Sequence, residues 1–444
     1  METERAALDA AVQAARTQAE DSVLDFVHAV LTLDAAHGRA PEVARTITEV
    51  ALRFQQYSAP VMAKGVEDTA LYRYLRLTCL NEVGCEPDRF GLSLRAFHAR
   101  AARRARHWPH AMNALSTHDS KRSEDVRARI AVLSELGPEW REQVTRWRAA
   151  HGAARSAAGP APQDEYLCYQ TLVGIWPLTG MPDAALPERL VAYMVKAARE
   201  AKQHTGWLQP NAGYEQALEH FVAALLRPDP DNLFPAEMAR FSRRAAHFGL
   251  LNALTQHLLR LCLPGVPDLY QGSELWTDSL VDPDNRRPVD FVHRQALLET
   301  LAATAVSPEL AAELLSSRAD GRIKLHYTRQ ALAARQSHPG LLGGTGEYVP
   351  LRATGARADH VIAFARRHQH SQLVVVAPRW FARLSGGEPI EPLGEVWGES
   401  ELNLPDPAAH YRDCLTGMRV SAQRGRLRLG EVLSVLPHAL LLAE

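Results

Sequence analysis

The stretch Ala111-Met-Asn-Ala-Leu-Ser116-Thr-His-Asp-Ser-Lys-Arg-Ser123 gives the clearest indication of the fold. Its first part, Ala111 to Ser116, is short and apolar, and it ends in the polar cluster Thr117-His118-Asp119. A helical pattern follows from Ser123 to Leu136. Strand, charged turn and helix in this order form the unit of a parallel α/β fold. Because α/β barrels carry their catalytic groups at the carboxyl ends of the strands, His118 and Asp119 are expected on the active face.

An upstream segment has the same three parts. Apolar residues from Tyr57 to Ala63 run into Lys64-Gly65-Val66-Glu67-Asp68, and a helical pattern continues from Thr69 to Leu80. The segment predicts another strand, with Lys64, Glu67 and Asp68 at its carboxyl end.

Most of the remaining sequence has a helical pattern, and the C-terminal region has the alternating apolar and polar pattern of strands. Residues 1–55 have a helical pattern, with Pro41 where a helix start tolerates proline. The other predicted helical regions are 138–261, interrupted by loops at 152–163 and 207–214, and 291–337, which holds two or three helices. Between them, Leu263–Gly272 predicts a strand. Residues 344–444 alternate apolar and polar positions and predict a small antiparallel β domain, with strands at His360–Phe364, Gln372–Val376, Val432–Leu436 and Ala439–Leu442.

The composition excludes several classes of partner. The chain has 444 residues, a length typical of two or three domains. Lys and Arg number 50 and Asp and Glu number 51, which leaves a net charge of -1. A nucleic-acid or anionic-membrane partner requires a basic excess, so neither is expected.

The termini and the cysteines indicate a cytoplasmic protein. Residues 1–20 lack the basic start and apolar run of a signal peptide, and no apolar stretch approaches the roughly 20 residues of a membrane span. The 5 cysteines are odd in number and form no CxxC pair, which predicts unpaired thiols and no zinc site.

The adjacent His118 and Asp119 suit the binding of a sugar. A carboxylate can hold two hydroxyl groups, and hydrogen bonds near the anomeric carbon strengthen in the transition state of glycoside cleavage. A purely structural interpretation is also open, in which Asp119 caps the helix that contains Asp125 and Arg129.

The longer sequence Ser116-Thr-His-Asp-Ser-Lys-Arg-Ser-Glu-Asp-Val-Arg-Ala-Arg129 resembles the fourth signature region of the α-amylase family of glycoside hydrolases, in the form found in maltooligosyl trehalose synthases. Further matches to that form are Val61–Tyr74, Gly206–Glu215, Leu263–Trp276, Asp282–Asp290 and Asp320–Leu325. Together they extend from about residue 53 to 330 in the family's order, and matches of this length and number are specific.

The resemblance implies a fold of α/β class. It corresponds to the C-terminal part of a (β/α)8 barrel, strands six to eight, with large helical insertions. Residues 1–55 would be an insertion segment, 56–337 the partial barrel and 344–444 a C-terminal β domain.

The same resemblance implies roles for individual residues. Asp119 would be the catalytic carboxylate that stabilises the transition state. The residues implied to bind substrate are His118, Lys64, Glu67, Asp68, Tyr72, Arg73, Lys121, Arg122, Tyr270, Gln271, Glu274, Arg286 and Arg287. For Arg286 and Arg287 a buried ion pair with Asp282 or Asp290 is an equal alternative.

Two carboxylates of the family pattern are not found in this sequence. Family members use an Asp nucleophile, in a Gly-x-Arg-x-Asp type of segment, and a Glu acid/base, and neither is recognised upstream of Lys64. Retaining chemistry needs two carboxylates about 5 Å apart, so the isolated chain is expected to have weak or no activity.

The implied reaction of the complete enzyme is an isomerisation by intramolecular transglycosylation. The reducing-end α-1,4 bond of a maltooligosaccharide would become an α,α-1,1 bond, without cofactor or metal. The implied pathway partner is a maltooligosyl trehalose trehalohydrolase. Two alternatives are an α-glucan hydrolase of the same superfamily and a non-catalytic maltooligosaccharide-binding module.

Overall fold

Three helices form most of the N-terminal region in the computed structural model, which describes residues 2–444. They are α1 (Glu2–Ala15), α2 (Asp21–Leu31) and α3 (Pro41–Val66). Proline stands in the first turn of α3, as the sequence predicts. The residues up to Ala70 form one compact unit, and Leu71–Glu444 form a second. The boundary that the sequence suggests near residue 55 therefore falls inside α3.

The predicted strand at Tyr57–Ala63 is wrong, because these residues continue α3. The helix predicted at Thr69–Leu80 is also wrong, since this segment contains only the short 3-10 turns Ala70–Tyr72 and Thr78–Leu80. A strand must find a partner for its backbone groups, whereas a helix satisfies its own. Among the described residues no strand pairs with 57–63, and within α3 most of this backbone is hydrogen-bonded by the helix itself.

The second unit begins with a helical region. Its longer helices are α4 (Leu94–His107), α5 (Glu124–Ala131), α6 (Gly137–Ala150), α7 (Pro162–Ile175), α8 (Ala185–Ala201), α9 (Ala212–Leu226), α10 (Phe234–Cys262), α11 (Phe291–Ala303), α12 (Pro308–Ser316) and α13 (Arg322–Ser337). Three short ones are α14 (Pro339–Leu342), α15 (Phe381–Leu384) and α16 (Leu429–Val432). The helical prediction for 138–261 is confirmed, and 291–337 contains three helices where two or three are expected.

Two short parallel strands, β1 (Met112–Asn113) and β2 (Val266–Pro267), place distant loops side by side. The sequence predicts longer strands here, and each is only two residues long. Gly265 permits this pairing, because its φ is +127° and a Cβ would lie 2.5 Å from the carbonyl oxygen of Ala111. Since the strands are parallel, the residues that follow them emerge at the same end.

Helix α5 follows the first of these loops and is closely packed on two sides. A Cβ on Gly174 of α7 would lie 2.7 Å from Val126 Cγ1 of α5. On the other side, a Cβ on Gly249 of α10 would lie 2.7 Å from the Cα atom of Arg129. The two glycines let three helices approach more closely than larger residues would allow.

An antiparallel sheet of eight strands forms the C-terminal region. The strands are β3 (Glu347–Thr354), β4 (Val361–His368), β5 (Ser371–Pro378), β6 (Glu401–Asn403), β7 (His410–Asp413), β8 (Arg419–Ser421), β9 (Arg426–Arg428) and β10 (Ala439–Ala443), in the order β8-β7-β10-β5-β4-β3-β6-β9. Three of the four strands named from the alternation are present. The prediction of a fourth strand at Val432–Leu436 is wrong. The end of α16 and a turn occupy this segment, and the turn residues Leu433 and Leu436 are buried.

Apolar side chains are buried on both faces of the sheet, and one face shares its core with the helices. Phe364, Leu373 and Val375 on one sheet face pack with residues of α10 and α13, and the opposite face packs around Trp397 and Tyr411. No helix of residues 2–444 has the length and apolar character needed to cross a membrane.

Candidate functional site

A pocket of about 280 Å³ opens beside the carboxyl ends of β1 and β2. Residues from three segments line it: Ser116, Thr117, Ser120 and Ser123 from the first, and residues within Tyr270–Leu280 and Asn285–Arg294 from the other two. His118 and Asp119 are not among the lining residues. We call it the site pocket. All three segments lie in the second unit, and each overlaps a stretch that the sequence singles out. The parallel strand pair therefore brings together residues separated by more than 150 positions in sequence.

The turn Ser116–Ser120, the site turn, is held by its own hydroxyl groups. Ser120 Oγ accepts from the backbone N–H of Thr117 at 2.8 Å, and Thr117 Oγ1 accepts from the N–H of Asp119 at 3.2 Å. Ser116 Oγ accepts from the N–H of Glu124 at 3.0 Å and so joins the turn to α5. Ser116, Thr117 and Ser120 line the pocket, while the side chain of Asp119 is exposed in the same turn.

Asp119 does not cap α5, so the structural alternative for this residue is wrong. The N-cap is Ser123, whose Oγ accepts from the N–H of Val126 at 3.4 Å. The same hydroxyl donates to the carbonyl oxygen of Thr277 at 2.8 Å. The Asp119 carboxylate is therefore not used by the helix end and faces solvent.

The turn after β2 forms a second wall of the site pocket. Tyr270 and Gln271 line it, followed by Gly272. Gly272 has a φ of +88°, and a Cβ there would lie 3.1 Å from Val289. Ser273 closes the turn, because its N–H donates to the Tyr270 carbonyl at 2.9 Å and its Oγ donates to the same oxygen at 2.6 Å.

Basic residues of α8 hold the stretch Asp278–Asp284, which joins the second segment to the third. Arg189 donates to Asp278 at 2.7 Å and to Asp284 at 2.8 Å, and Lys196 donates to Asp282 at 2.6 Å. Burial raises the pKa of Asp278, but the guanidinium groups around it outweigh this and hold the pKa below its usual value. Hydrogen bonding to Lys196 lowers the pKa of Asp282. Asp278 and Asp282 are thus ionised, and their charges are paired with basic side chains.

Arg286 and Arg287 take different partners. Arg286 contacts Asp282 at 3.3 Å, as one alternative from the sequence has it, but this pair is at the surface and not buried. Arg287 contacts Asp278 at 2.6 Å and lines the site pocket. Asp290 is the N-cap of α11 and accepts from the N–H of His293; it pairs with neither arginine. The same region reaches the site turn, since the amide of Asn285 donates to the carbonyl oxygen of His118 at 2.8 Å.

A buried charge cluster lies behind the pocket wall. Lys324 of α13 is fully buried, and its Nζ donates to both oxygens of Asp125 at 2.9 Å. It also lies 2.9 Å from Glu124, which Arg260 contacts at 3.2 Å. Asp125 in turn accepts from the N–H of Thr277 at 2.9 Å. Burial raises the pKa of Asp125 to about 6, although Lys324 opposes the rise.

Glu82 is a supporting residue that the sequence does not reveal. Its buried carboxylate accepts from the N–H of Lys121 at 2.9 Å and 3.1 Å and from Arg127 at 2.7 Å. It therefore fixes the backbone immediately after the site turn. No local pattern marks it, because its partners are about 40 positions away in sequence.

Four predicted binding residues lie between the site turn and α8. Lys121 Nζ is 5.8 Å from the centre of the Tyr72 ring, and both residues are buried. Arg73 Nε donates to the carbonyl oxygen of Ala201 at 2.6 Å. Arg122 is buried and donates to the hydroxyl of Tyr193. None of the four lines the site pocket.

The remaining predicted residues are distributed between the two units. Glu274 contacts Arg294, a lining residue, at 3.2 Å. In the first unit, Lys64 is in the last turn of α3 and pairs with Asp68, and Glu67 follows the helix end. Among residues 2–444, no three His, Cys, Asp or Glu side chains are grouped so as to hold a metal ion.

Comparison with known proteins gives a consistent set of relatives. Two proteins of Mycobacterium tuberculosis, from strains CDC 1551 and H37Rv, are provisionally named maltooligosyl trehalose synthases. Each is 40% identical to this chain over 397 residues, which is 89% of the chain and 46% of the relative. No protein-family profile matches the chain.

The similar solved structures carry the same enzyme name. The maltooligosyltrehalose synthase from Arthrobacter ramosus has a TM-score of 0.79 and 35% identity, with 99% of this chain and 51% of that chain covered. A hypothetical maltooligosyl trehalose synthase from Sulfolobus tokodaii has a TM-score of 0.69 and 27% identity, with 94% and 53% covered. The chain thus spans about half the length of the relatives that it matches.

Proposed function

The chain is homologous to the maltooligosyl trehalose synthases over about half of their length, and from this premise we propose that it supplies part of the active site of such an enzyme. The reaction is an intramolecular transglycosylation, which converts the α-1,4 bond at the reducing end of a maltooligosaccharide into an α,α-1,1 bond. The observation that carries the proposal is the site pocket, because three separately matched segments surround it.

The polar lining of the pocket supports a neutral, hydroxylated substrate. Ser116, Ser120, Gln271 and Asn285 offer uncharged donors and acceptors, while Asp278 and Arg287 already compensate each other. Tyr270 and Trp276 add aromatic surface, and aromatic rings pack well against the apolar faces of sugars. A charged substrate has no comparable set of unpaired opposite charges in this pocket.

Asp119 is the proposed transition-state stabiliser. Its carboxylate is exposed and is not used as a helix cap. Its turn is joined to α5 through Ser116, is contacted by Asn285 at the His118 carbonyl, and is followed by backbone that Glu82 holds. A charge that is held in place before the reaction can stabilise developing positive charge without reorganising. His118, in the same turn, is the proposed substrate-binding neighbour.

The remaining predicted residues separate into two groups under this proposal. Tyr270, Gln271 and Arg287 would contact substrate directly, because they line the pocket. Tyr72, Arg73, Lys121, Arg122, Glu274 and Arg286 would position the walls through the contacts described above. Lys64, Glu67 and Asp68 remain proposed contacts for the cleaved sugar.

The nucleophile and the acid/base are proposed to be supplied by the part of the enzyme that this chain does not match. Strands β1 and β2 would correspond to strands seven and eight of a (β/α)8 barrel, with the helices α6–α10 as an insertion between them. The α,α-1,1-terminated product would be consumed by a maltooligosyl trehalose trehalohydrolase.

Maltopentaose gives a direct test. The purified chain is incubated with it, alone and together with the separately expressed N-terminal half of the Arthrobacter ramosus relative, and reducing ends and total sugar are followed. The expected result is no loss of reducing ends with the chain alone. With both halves, reducing ends should fall while total sugar stays constant.

Two variants make the assay specific. Asp119→Asn should abolish the activity of the combined halves, whereas Asp229→Asn, on the surface of the helical region, should leave it unchanged. Release of free glucose or maltose would instead favour the hydrolase alternative. Tight binding of maltopentaose without turnover by the combined halves would favour the binding module.

A further inference from the structure

Residues 275–279, which we call the loop wall, border the site pocket without forming a helix or a strand. The N-terminal end of α5 supplies hydrogen bonds to this backbone. The N–H of Ser123 donates to the carbonyl oxygen of Ser279 at 2.9 Å, and its Oγ donates to that of Thr277 at 2.8 Å. A loop has no ladder of its own, so its shape depends on contacts of this kind from other elements.

One buried ammonium group contacts three consecutive residues of the loop wall. Lys324 Nζ lies 3.5 Å from the carbonyl oxygen of Leu275 and 5.4 Å from the centre of the Trp276 ring. It also donates to both oxygens of Asp125 at 2.9 Å, and Asp125 accepts from the N–H of Thr277 at 2.9 Å. Lys324 belongs to α13 and is 49 positions from Leu275 in sequence, so a distant element holds this loop.

The side chain of Trp276 is held at two points. Its Nε1–H donates to the carbonyl oxygen of Arg318 at 2.6 Å, and the ammonium group of Lys324 lies over its ring. The negative face of an aromatic ring attracts a cation in this position. The side chain is nevertheless partly exposed, and it lines the site pocket. The orientation of the ring in the pocket therefore depends on the turn before α13 and on Lys324.

Fold stability alone does not account for a charge at this depth. Lys324 is 0% exposed, so its ammonium group has given up its water. Buried ion pairs that are exchanged for apolar residues of similar volume often leave a protein equally stable or more stable. An ammonium group has only three donors, and here they are directed to Asp125 and Glu124. These contacts fix the direction of the groups around them more strictly than apolar packing does.

We infer that Lys324 is a positioning residue of the site pocket. It acts on Trp276 directly and through Asp125 and Thr277, and it fixes the indole ring in the orientation in which the ring packs against a sugar of the substrate. The inference rests on the proposed function, because it takes a maltooligosaccharide as the ligand. Lys324 itself touches no substrate, so its loss weakens substrate binding and leaves the bond-changing steps intact.

The first experiment measures how firmly Trp276 is held, without any sugar. The full chain is labelled with ¹⁵N at the indole nitrogens of its 8 tryptophans, and Trp276→Phe assigns the signal of Trp276. Lys324→Met should speed the exchange of this indole N–H with water roughly tenfold. Arg329→Met, which removes a partly exposed charge from the same helix, should leave the exchange unchanged. Unchanged exchange in Lys324→Met, or equal exchange in the two variants, overturns the inference.

A second variant covers the case in which Lys324→Met does not fold. Asp125→Asn keeps the shape of the side chain and leaves Glu124 as the partner of Lys324 at 2.9 Å. It removes the carboxylate that holds the ammonium group beside the loop wall. The exchange of the Trp276 indole N–H should therefore become faster in this variant as well, and unchanged exchange overturns the inference.

The second experiment is kinetic and uses maltopentaose with the combined halves. Lys324→Met and Trp276→Ala should each raise KM about tenfold and change kcat by less than about twofold, because a contact made throughout the reaction is lost. Since Lys324 acts through Trp276, the double variant should also show a rise of about tenfold. A rise of about a hundredfold, which independent effects would give, or a fall in kcat at constant KM overturns the inference. Absence of turnover by the combined unmodified halves counts against the proposed function instead, and the indole exchange then decides the positioning role by itself.

Discussion

Replacement of Lys324 by methionine is the most informative perturbation of the region behind the site pocket. The ammonium group is fully buried and lies 2.9 Å from Asp125 and 2.9 Å from Glu124. Glu124 keeps Arg260 at 3.2 Å in the variant. Asp125 keeps the backbone N–H of Thr277 as a hydrogen-bond donor but loses its directly bonded cation, so most of the loss of charge compensation falls on this carboxylate.

The expected cost follows from this distribution. Two unit charges about 4 Å apart interact by about 4 kcal/mol at the effective dielectric of a protein site. Breaking a buried pair by removing one partner costs about 3–5 kcal/mol. We therefore expect Lys324→Met to lower the free energy of unfolding by about 4 kcal/mol at pH 7. Methionine fills most of the volume of lysine, so a packing loss adds little.

Urea titrations at pH 7 measure this difference. Lys196→Met is the matched control, since its partner Asp282 is partly exposed, and it should cost about 1 kcal/mol. The double variant Lys324→Met with Asp125→Asn removes the isolated charge and should recover about 2 kcal/mol. A loss for Lys324→Met no larger than that for Lys196→Met, or no recovery in the double variant, would refute the reasoning.

Three other changes test separate parts of the molecule. Burial raises the pKa of Asp413 to about 6, so its proton is held more tightly in the folded state. As the pH rises from 4 to 7.5, this acid should lower the free energy of unfolding by about 2 kcal/mol. In urea titrations at the two pH values, the free energy of unfolding of Asp413→Asn should not show this decline, whereas that of the exposed control Asp406→Asn should. Gly265→Ala should cost about 3 kcal/mol, since a Cβ would lie 2.5 Å from a backbone oxygen; Gly180→Ala, with open space around it, should cost about 1 kcal/mol, and equal losses would contradict the role given to Gly265. Glu82→Gln should speed hydrogen exchange roughly tenfold at the backbone amides of Lys121 and Arg122, which donate to its carboxylate, and unchanged exchange would show that it does not hold them.

Much of the fold is predictable because its patterns are local. The alternation in 344–444 predicts the antiparallel sheet, and the apolar spacing in 138–261 predicts its helices. The strand prediction for residues 57–63 is wrong because a short apolar run fits a buried strand and a helix equally well. The choice depends on whether a partner strand is available, and the local sequence does not contain that information.

The residues of the candidate site also divide into those that the local sequence reveals and those that it does not. The segments around Asp119 and Tyr270 are recognisable because their residue order is distinctive over more than ten positions. Glu82 and Lys324 are not recognisable as supports, because the former acts on residues 39 positions away and the latter pairs across 199 positions. Charge pairs of this kind depend on tertiary packing, and no local pattern encodes them.

The close packing of α5 bears on how this protein can vary over evolution. Gly174 and Gly249 belong to the helical region that contributes no predicted site residue, yet they set the axis of the helix that follows the site turn. One added carbon at either position must displace α5, and with it the turn that carries Asp119. We therefore expect differences in the position of this turn between homologues to follow the size of the residues at 174 and 249, while the turn itself keeps its sequence.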